Sequence, residues 1–259
     1  MAVADLGAVR LRYELSGDPA LPVLVLSHAL GVNHSMWEPQ LGALGSHFRL
    51  LRIDTRGHGG SSIPRGPYKI ADMSRDVIDL MDFLGIKQAG FCGLSMGGMI
   101  GQWLGIHANH RFNKLVLANT AARIGTVETW NARTAKVLRD GVESVVQGTM
   151  ERWFTAGYRA AEPNVVTKTA ATLQATSPRG YVDCCFALRD ADFLGAIQDI
   201  RIPTLVISGS QDPVSPKEDI RFLVEHIPDA QQVELAAAHL SNVEAAVKFN
   251  DALLSFLTS

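Results

Sequence analysis

Ser95 stands in the run Gly93-Leu94-Ser95-Met96-Gly97, the spacing G-x-S-x-G. A serine hydroxyl is a poor nucleophile at neutral pH. It attacks a carbonyl only where a base takes its proton and a third group fixes the tautomer of that base. Two later stretches supply those groups: "GSQDPVSP" carries Asp212 and "AAAHLSNVE" carries His239. The chain order Ser95, Asp212, His239 is the one this type of serine turn uses. The other position for an acid, in "LANTA", holds Asn119, an amide rather than a carboxylate. Together the three side chains would perform acyl transfer, from serine to substrate and then to water.

The motif alone is weak, and its surroundings decide. Short apolar runs rich in β-branched residues recur at 23–27 "VLVLS", 48–54 "FRLLRID", 89–93 "AGFCG", 114–119 "KLVLAN", 204–209 "TLVISG" and 231–236 "QQVELA". Such runs suit a sheet covered on both faces. Between them lie helical periods, as from Ile70 to Leu84, where Met73, Val77, Leu80, Met81 and Leu84 recur at spacings of three and four. Alternating strands and helices predict an α/β fold with a mostly parallel sheet. The N-terminal "AVRLRYELSG" predicts an antiparallel edge strand.

Ser95 follows one apolar run and precedes a helical period at Met99, Trp103 and Ile106. A sharp turn between strand and helix presents one hydroxyl at the strand's C-terminal end. The glycines around it remove Cβ atoms where strand and helix converge. Asp212 and His239 also fall just past strands. The developing oxyanion needs backbone donors: the N–H of Met96, at the start of the helix, is one, and the loop "SHALG" (27–31) offers the other, at Leu30, with Ala29 next in preference. Of the remaining histidines, His58 in "DTRGHGGSS" shapes a loop, and His34, His47, His107, His110 and His226 read as surface or helix residues. No metal-ligand spacing is present in the sequence.

The strand rhythm breaks between about residues 120 and 200, where helix formers dominate. The expected organisation is a core from 1–122 and 191–259 with a helical cap or lid from 123–190. The chain has 259 residues, 47% of them hydrophobic, enough for a sizeable core. Twenty-four Lys and Arg against 26 Asp and Glu, with no basic block, argue against a nucleic-acid partner. Three cysteines, two of them adjacent at 184 and 185, give no disulfide framework and fit the cytoplasm. From Gln88 to His110 no charged residue occurs, yet six glycines within the stretch suit a strand, turn and helix better than a membrane span.

On these residues the sequence resembles the α/β-hydrolase family, over essentially the whole chain. "SHALGVNHSMWEPQ" (27–40), "DTRGHGGSS" (54–62), "FCGLSMGGMIGQWLG" (91–105) and "AAHLSNVE" (237–244) are shared with many of its members. "LVLANTAARIGTVETWNAR" (115–133) is similar to the branch that hydrolyses enol-lactones in aromatic-compound breakdown. The resemblance implies an α/β-hydrolase fold of about eight strands and hydrolysis of 3-oxoadipate enol-lactone to 3-oxoadipate, with no metal or organic cofactor. Ser95 would attack the lactone carbonyl, His239 would act as base and Asp212 would orient it.

That substrate bears a carboxylate, which a purely apolar pocket rejects. Arg133, three residues after Trp130 and on the same helix face, would meet the carboxylate, directly or through water, while Trp130 packs against the ring. A broad-range carboxylesterase and a hydrolase of carbon–carbon bonds in ring-fission products use the same triad. A ligand receptor on a hydrolase scaffold is the non-enzymatic alternative.

Overall fold

The computed structural model describes residues 2–259. Eight strands form one sheet: β1 (Ala2–Asp5), β2 (Arg10–Ser16), β3 (Val23–Ser27), β4 (Arg49–Ile53), β5 (Ala89–Leu94), β6 (Phe112–Ala118), β7 (Thr204–Gly209) and β8 (Gln231–Leu235). Their spatial order is β1-β2-β4-β3-β5-β6-β7-β8. β1 pairs antiparallel with β2 and β2 with β4, whereas every pairing from β4 through β8 is parallel. All six residues of β5 and of β7 are buried. Because side chains alternate between the two faces of a strand, unbroken burial requires cover on both sides.

The cover comes from helices that connect the strands. After β3 a 3-10 segment (His34–Gln40) leads into α1 (Leu41–Leu44), and α2 (Ile70–Phe83) follows β4. α3 (Met96–His107) follows β5 and packs on β5 and β6 with α2 beside it. The α2 residues Ile70, Met73, Val77, Leu80 and Met81 are buried, which is the stripe the spacing of three and four predicts. None of the described helices is long and apolar enough to cross a membrane.

Between β6 and β7 the chain makes five consecutive helices with no strand among them: α4 (Val127–Asp140), α5 (Glu143–Trp153), α6 (Ala156–Ala161), α7 (Pro163–Gln174) and α8 (Pro178–Asp190). α4 packs on both α5 and α8, and α5 on α7. α9 (Lys217–His226) lies between β7 and β8, and α10 (Ser241–Glu244) and α11 (Ala246–Leu257) close the chain. One expectation is corrected. The strand at Arg10–Ser16 is antiparallel but not at the edge, because the short β1 flanks it. Only Ala4 of β1 is buried, so the strand has too little apolar pattern to be read from sequence.

Candidate active site

Ser95 occupies the junction of β5 and α3 with φ 58° and ψ −112°, a backbone conformation that side chains other than glycine rarely adopt. The turn closes so tightly that a Cβ on Gly93 would lie 2.0 Å from the carbonyl oxygen of Gly97. A Cβ on Gly97 would lie 2.1 Å from that of Ser27 on β3. Two hydrogen bonds hold the strained residue: its N–H donates to Ala118 O (2.9 Å) and its carbonyl accepts from Thr120 Oγ1 (3.0 Å).

Asp212 follows β7 and His239 follows β8, so both side chains arrive at the sheet edge where Ser95 stands. His239 Nδ1 and Asp212 Oδ2 are 2.9 Å apart and both buried. Oδ2 also accepts from Asn119 Nδ2 (3.0 Å) and Ser215 Oγ, and Oδ1 accepts from Val214 N (2.8 Å). Burial alone would raise the pKa of Asp212. The charge and hydrogen bond of His239, with those of Ser215 and Asn119, outweigh it and hold the carboxyl at about 2. An ionised Asp212 requires Nδ1 of His239 to carry a proton, and of the two neutral tautomers this selects the one whose lone pair is on Nε2. Asn119, the residue with no acidic function, thus serves the acid from the neighbouring strand end. Its own φ is 45°, and its side chain also binds Ala238 O (3.2 Å) and Ser241 Oγ, fastening both flanks of the histidine loop.

The loop from His28 to Gly31 is pinned by two buried imidazoles. His28 Nδ1 donates to Ala29 O (2.7 Å), and its Nε2 accepts from Thr55 N (2.9 Å). His58 Nε2 accepts from Gly31 N (2.8 Å). Burial lowers the pKa of both rings, that of His58 to about 3 with His28 adding to the shift, so each stays neutral and keeps the lone pair it needs. The consequence is directional. Ala29 C=O and Leu30 N–H belong to one trans peptide and point opposite ways, so tying the oxygen to His28 turns the Leu30 N–H away from it. Ala29 and Leu30 line the cavity that holds Ser95. Among the described residues neither the Leu30 N–H nor that of Met96, first in α3, donates to a protein acceptor.

His34 departs from the surface reading. It is buried, and its Nδ1 and N–H both meet Asp54 Oδ1, at 2.7 and 2.9 Å. His34 does begin the 3-10 segment, but no apolar period in sequence marks that segment's inner side.

The cavity before Ser95 and His239 measures about 440 Å3 including its mouth. Trp130 and Arg133 line it from α4, Arg152 and Trp153 from α5, and Tyr181 and Leu188 from α8. Trp130 is oriented by Nε1, which donates to Ile124 O (2.6 Å). Arg133 donates through Nε to Tyr181 OH (2.7 Å) and through Nη2 to Thr149 Oγ1 (2.8 Å). Arg152 Nη2 approaches the same hydroxyl at 3.3 Å. Two guanidinium groups therefore share one neutral acceptor, and among the described residues neither forms an ion pair. Burial, with Arg133 adding to it, lowers the pKa of Arg152. Arg152 was not expected from sequence, where it lies among the helix formers between about residues 120 and 200. Among the described residues no group of three or more His, Cys, Asp or Glu could hold a metal ion.

The chain belongs to the α/β-hydrolase family: the profile of the alpha/beta hydrolase fold matches residues 22–246. Within it, the chain is 45% identical to 3-oxoadipate enol-lactonase 2 of Acinetobacter baylyi, over 95% of this chain and 92% of that protein. It is 39% identical to 3-oxoadipate enol-lactonase 1 of the same organism, over 96% and 93%. The crystal structure of the enol-lactonase from Burkholderia xenovorans LB400 superposes with a TM-score of 0.98 at 41% identity, over the full length of both chains.

Proposed function

We propose that the protein is a serine hydrolase that opens 3-oxoadipate enol-lactone to 3-oxoadipate. The observation that carries this reading is the company Ser95 and His239 keep: one cavity joins them to two arginines that, among the described residues, have no carboxylate partner. A site for neutral esters gains nothing from two adjacent guanidinium groups, which repel one another. A carboxylate between them relieves that repulsion and accepts charge-assisted hydrogen bonds from both. Relatives that carry the enol-lactonase name support the same substrate.

Arg133 and Arg152 hold the carboxylate and Trp130 packs against the ring, which puts the lactone carbonyl before Ser95. Nε2 of His239 takes the Ser95 proton as Oγ bonds to the carbonyl carbon. The N–H groups of Leu30 and Met96 receive the negative oxygen. When the tetrahedral centre collapses, the ring C–O bond breaks and the leaving enolate takes the proton from Nε2 of His239 to become an enol, which makes His239 a base again. An enolate is a weaker base than an alkoxide, so ring opening is the easier half. Water then gives a proton to His239 and attacks the acyl-enzyme, and collapse of the second tetrahedral centre passes that proton to Ser95 Oγ as the acid is released. The product leaves as an acid whose enol becomes a ketone. Asp212 remains ionised throughout and stabilises the imidazolium. No step calls for a cofactor. In this reading 123–190 is a cap over the core formed by 1–122 and 191–259.

The test is a direct lactonase assay of the wild type beside Ser95→Ala. Wild type should open the enol-lactone with a kcat/KM at least about a hundredfold above that for a neutral aryl ester. Ser95→Ala should lose on the order of 10^6-fold in kcat. Equal rates on the two substrates would leave a broad-range esterase instead.

A further inference from the structure

A second cavity lies on the outer side of Arg133 and Arg152. It is lined by those two residues together with Ala132 and Lys136 of α4 and Ser144, Val145 and Gly148 of α5. The arginines are therefore the wall common to both cavities: each faces the space before Ser95 and the space between α4 and α5. Resting on the reading that the substrate bears a carboxylate, we propose that it reaches Ser95 between α4 and α5, drawn by Lys136 and then passed to the two arginines.

Charge favours this route. The chain as a whole carries a formal net charge of −2 and has no long-range attraction for an anion. The outer cavity is lined by three cations and no acid. Lys136 is exposed, so it stands at the solvent end, and the two half-buried arginines stand at the inner end. Glu151 neighbours Arg152 in sequence but does not line the cavity: its side chain is exposed and accepts from Gln147 (3.1 Å). A low-dielectric channel of one sign concentrates the opposite charge and raises its rate of arrival.

Shape favours it too. Glycine weakens a helix interior, so its use there needs a reason. At Gly97 the reason is a backbone in the way. Around Gly148 a Cβ would meet only Arg152 Nη1, at an ordinary 3.6 Å, so packing does not demand glycine. What the missing side chain leaves is free space beside Arg152.

The other opening near the site is less suited. A groove between the 3-10 segment and α7 is lined by Met36, Pro39, Val165, Thr169, Leu240 and Val243 among others, and is mainly apolar. Its one cation, Lys168, is already paired with Glu38 across the groove at 2.8 Å. An anion would lose water there and gain no free partner.

The experiment compares kcat/KM for the enol-lactone and for neutral 4-nitrophenyl acetate over a range of ionic strength, in wild type, Lys136→Glu, Gly148→Trp and Thr169→Trp, the last filling the apolar groove. At low salt Lys136→Glu should lower the lactone value about tenfold, with the loss fading as salt screens the charge, while the acetate value changes less than about twofold. Gly148→Trp should lower the lactone value at every salt concentration with an undiminished Tm, and Thr169→Trp should leave it alone. A fall with Thr169→Trp and none with Gly148→Trp would overturn the route, as would a Lys136→Glu effect independent of salt. Should wild type fail to open the lactone, the substrate reading fails by itself. The same variants then report on the route with the monoanionic 4-nitrophenyl ester of succinic acid against the acetate, and the same ratios are expected.

Discussion

The rim of the sheet and the helices α4, α5 and α8 both line the cavity before Ser95, but they fix their side chains by different means. At the rim the backbone sets position. Ser95 is held in a strained conformation by two hydrogen bonds, and glycines at 93 and 97 admit backbone contacts that any side chain would break. In the helical stretch side chains position one another. Arg133 rests on Tyr181 and Thr149, Arg152 on the same threonine, and Gly148 leaves room to spare. The difference separates two tasks. Bond making needs atoms preorganised within fractions of an ångström, whereas choice of substrate needs charge and shape that can be altered without moving the catalytic groups.

Beyond loss of the nucleophile itself, the largest effect expected at the rim comes from Asp212→Asn. An amide there can present a donor to Nδ1 of His239 and so favour the wrong tautomer. kcat should fall by about 10^4-fold while KM stays within a small factor, measured by steady-state kinetics. A loss below about tenfold would mean that the acid lies elsewhere.

Next comes one substitution made in both regions. Gly97→Ala drives a Cβ against Ser27 O and should destabilise the fold by at least about 3 kcal/mol. Gly148→Ala meets only ordinary contact and improves helix propensity, so it should stabilise by about 0.5–1 kcal/mol. Chemical denaturation of the two variants checks the pair. Shifts of the same sign would erase the contrast between backbone-set and side-chain-set regions.

A more gradual effect, spread over pH, concerns the imidazole that holds the loop from His28 to Gly31. Folded His58 titrates at about 3, while an unfolded histidine binds its proton near pH 6.5. Between those values the unfolded chain carries the extra proton, so stability falls as the pH falls. His58→Gln keeps an acceptor for Gly31 N but cannot bind that proton. Its stability should therefore decline less steeply between pH 6.5 and 4, by about 1.4 kcal/mol per pH unit. Parallel slopes in urea titrations would show that His58 is charged in the fold.

The same contrast explains what the sequence discloses. Strands β3 to β7 sit deep in a sheet with both faces covered, so they are continuous apolar runs, and the glycines around Ser95 mark a backbone approach that only they permit. Asp212 is legible because it follows such a strand, β7, whereas His239 follows β8, an edge strand in which Leu235 alone is buried. β1 has one buried residue and is not. His34 turns inward through a hydrogen-bonded partner, Asp54, that no periodicity reveals. Arg152 is the most instructive omission. The role proposed for it depends on Arg133 lying across from it on another helix, and one helix read alone does not show that pairing. Thr149, which both arginines approach, is equally silent, since pairing between helices leaves no local pattern.

The most direct measurement is the ratio of kcat/KM for the enol-lactone to that for neutral 4-nitrophenyl acetate, in wild type and in Arg133→Met/Arg152→Met. Losing two charge-assisted contacts should lower that ratio by about a hundredfold or more, through KM for the lactone, with acetate hydrolysis by Ser95 retained. An unchanged ratio, whether both activities survive or both collapse together, would contradict the division between a rim that performs the chemistry and a pair of arginines that selects the substrate.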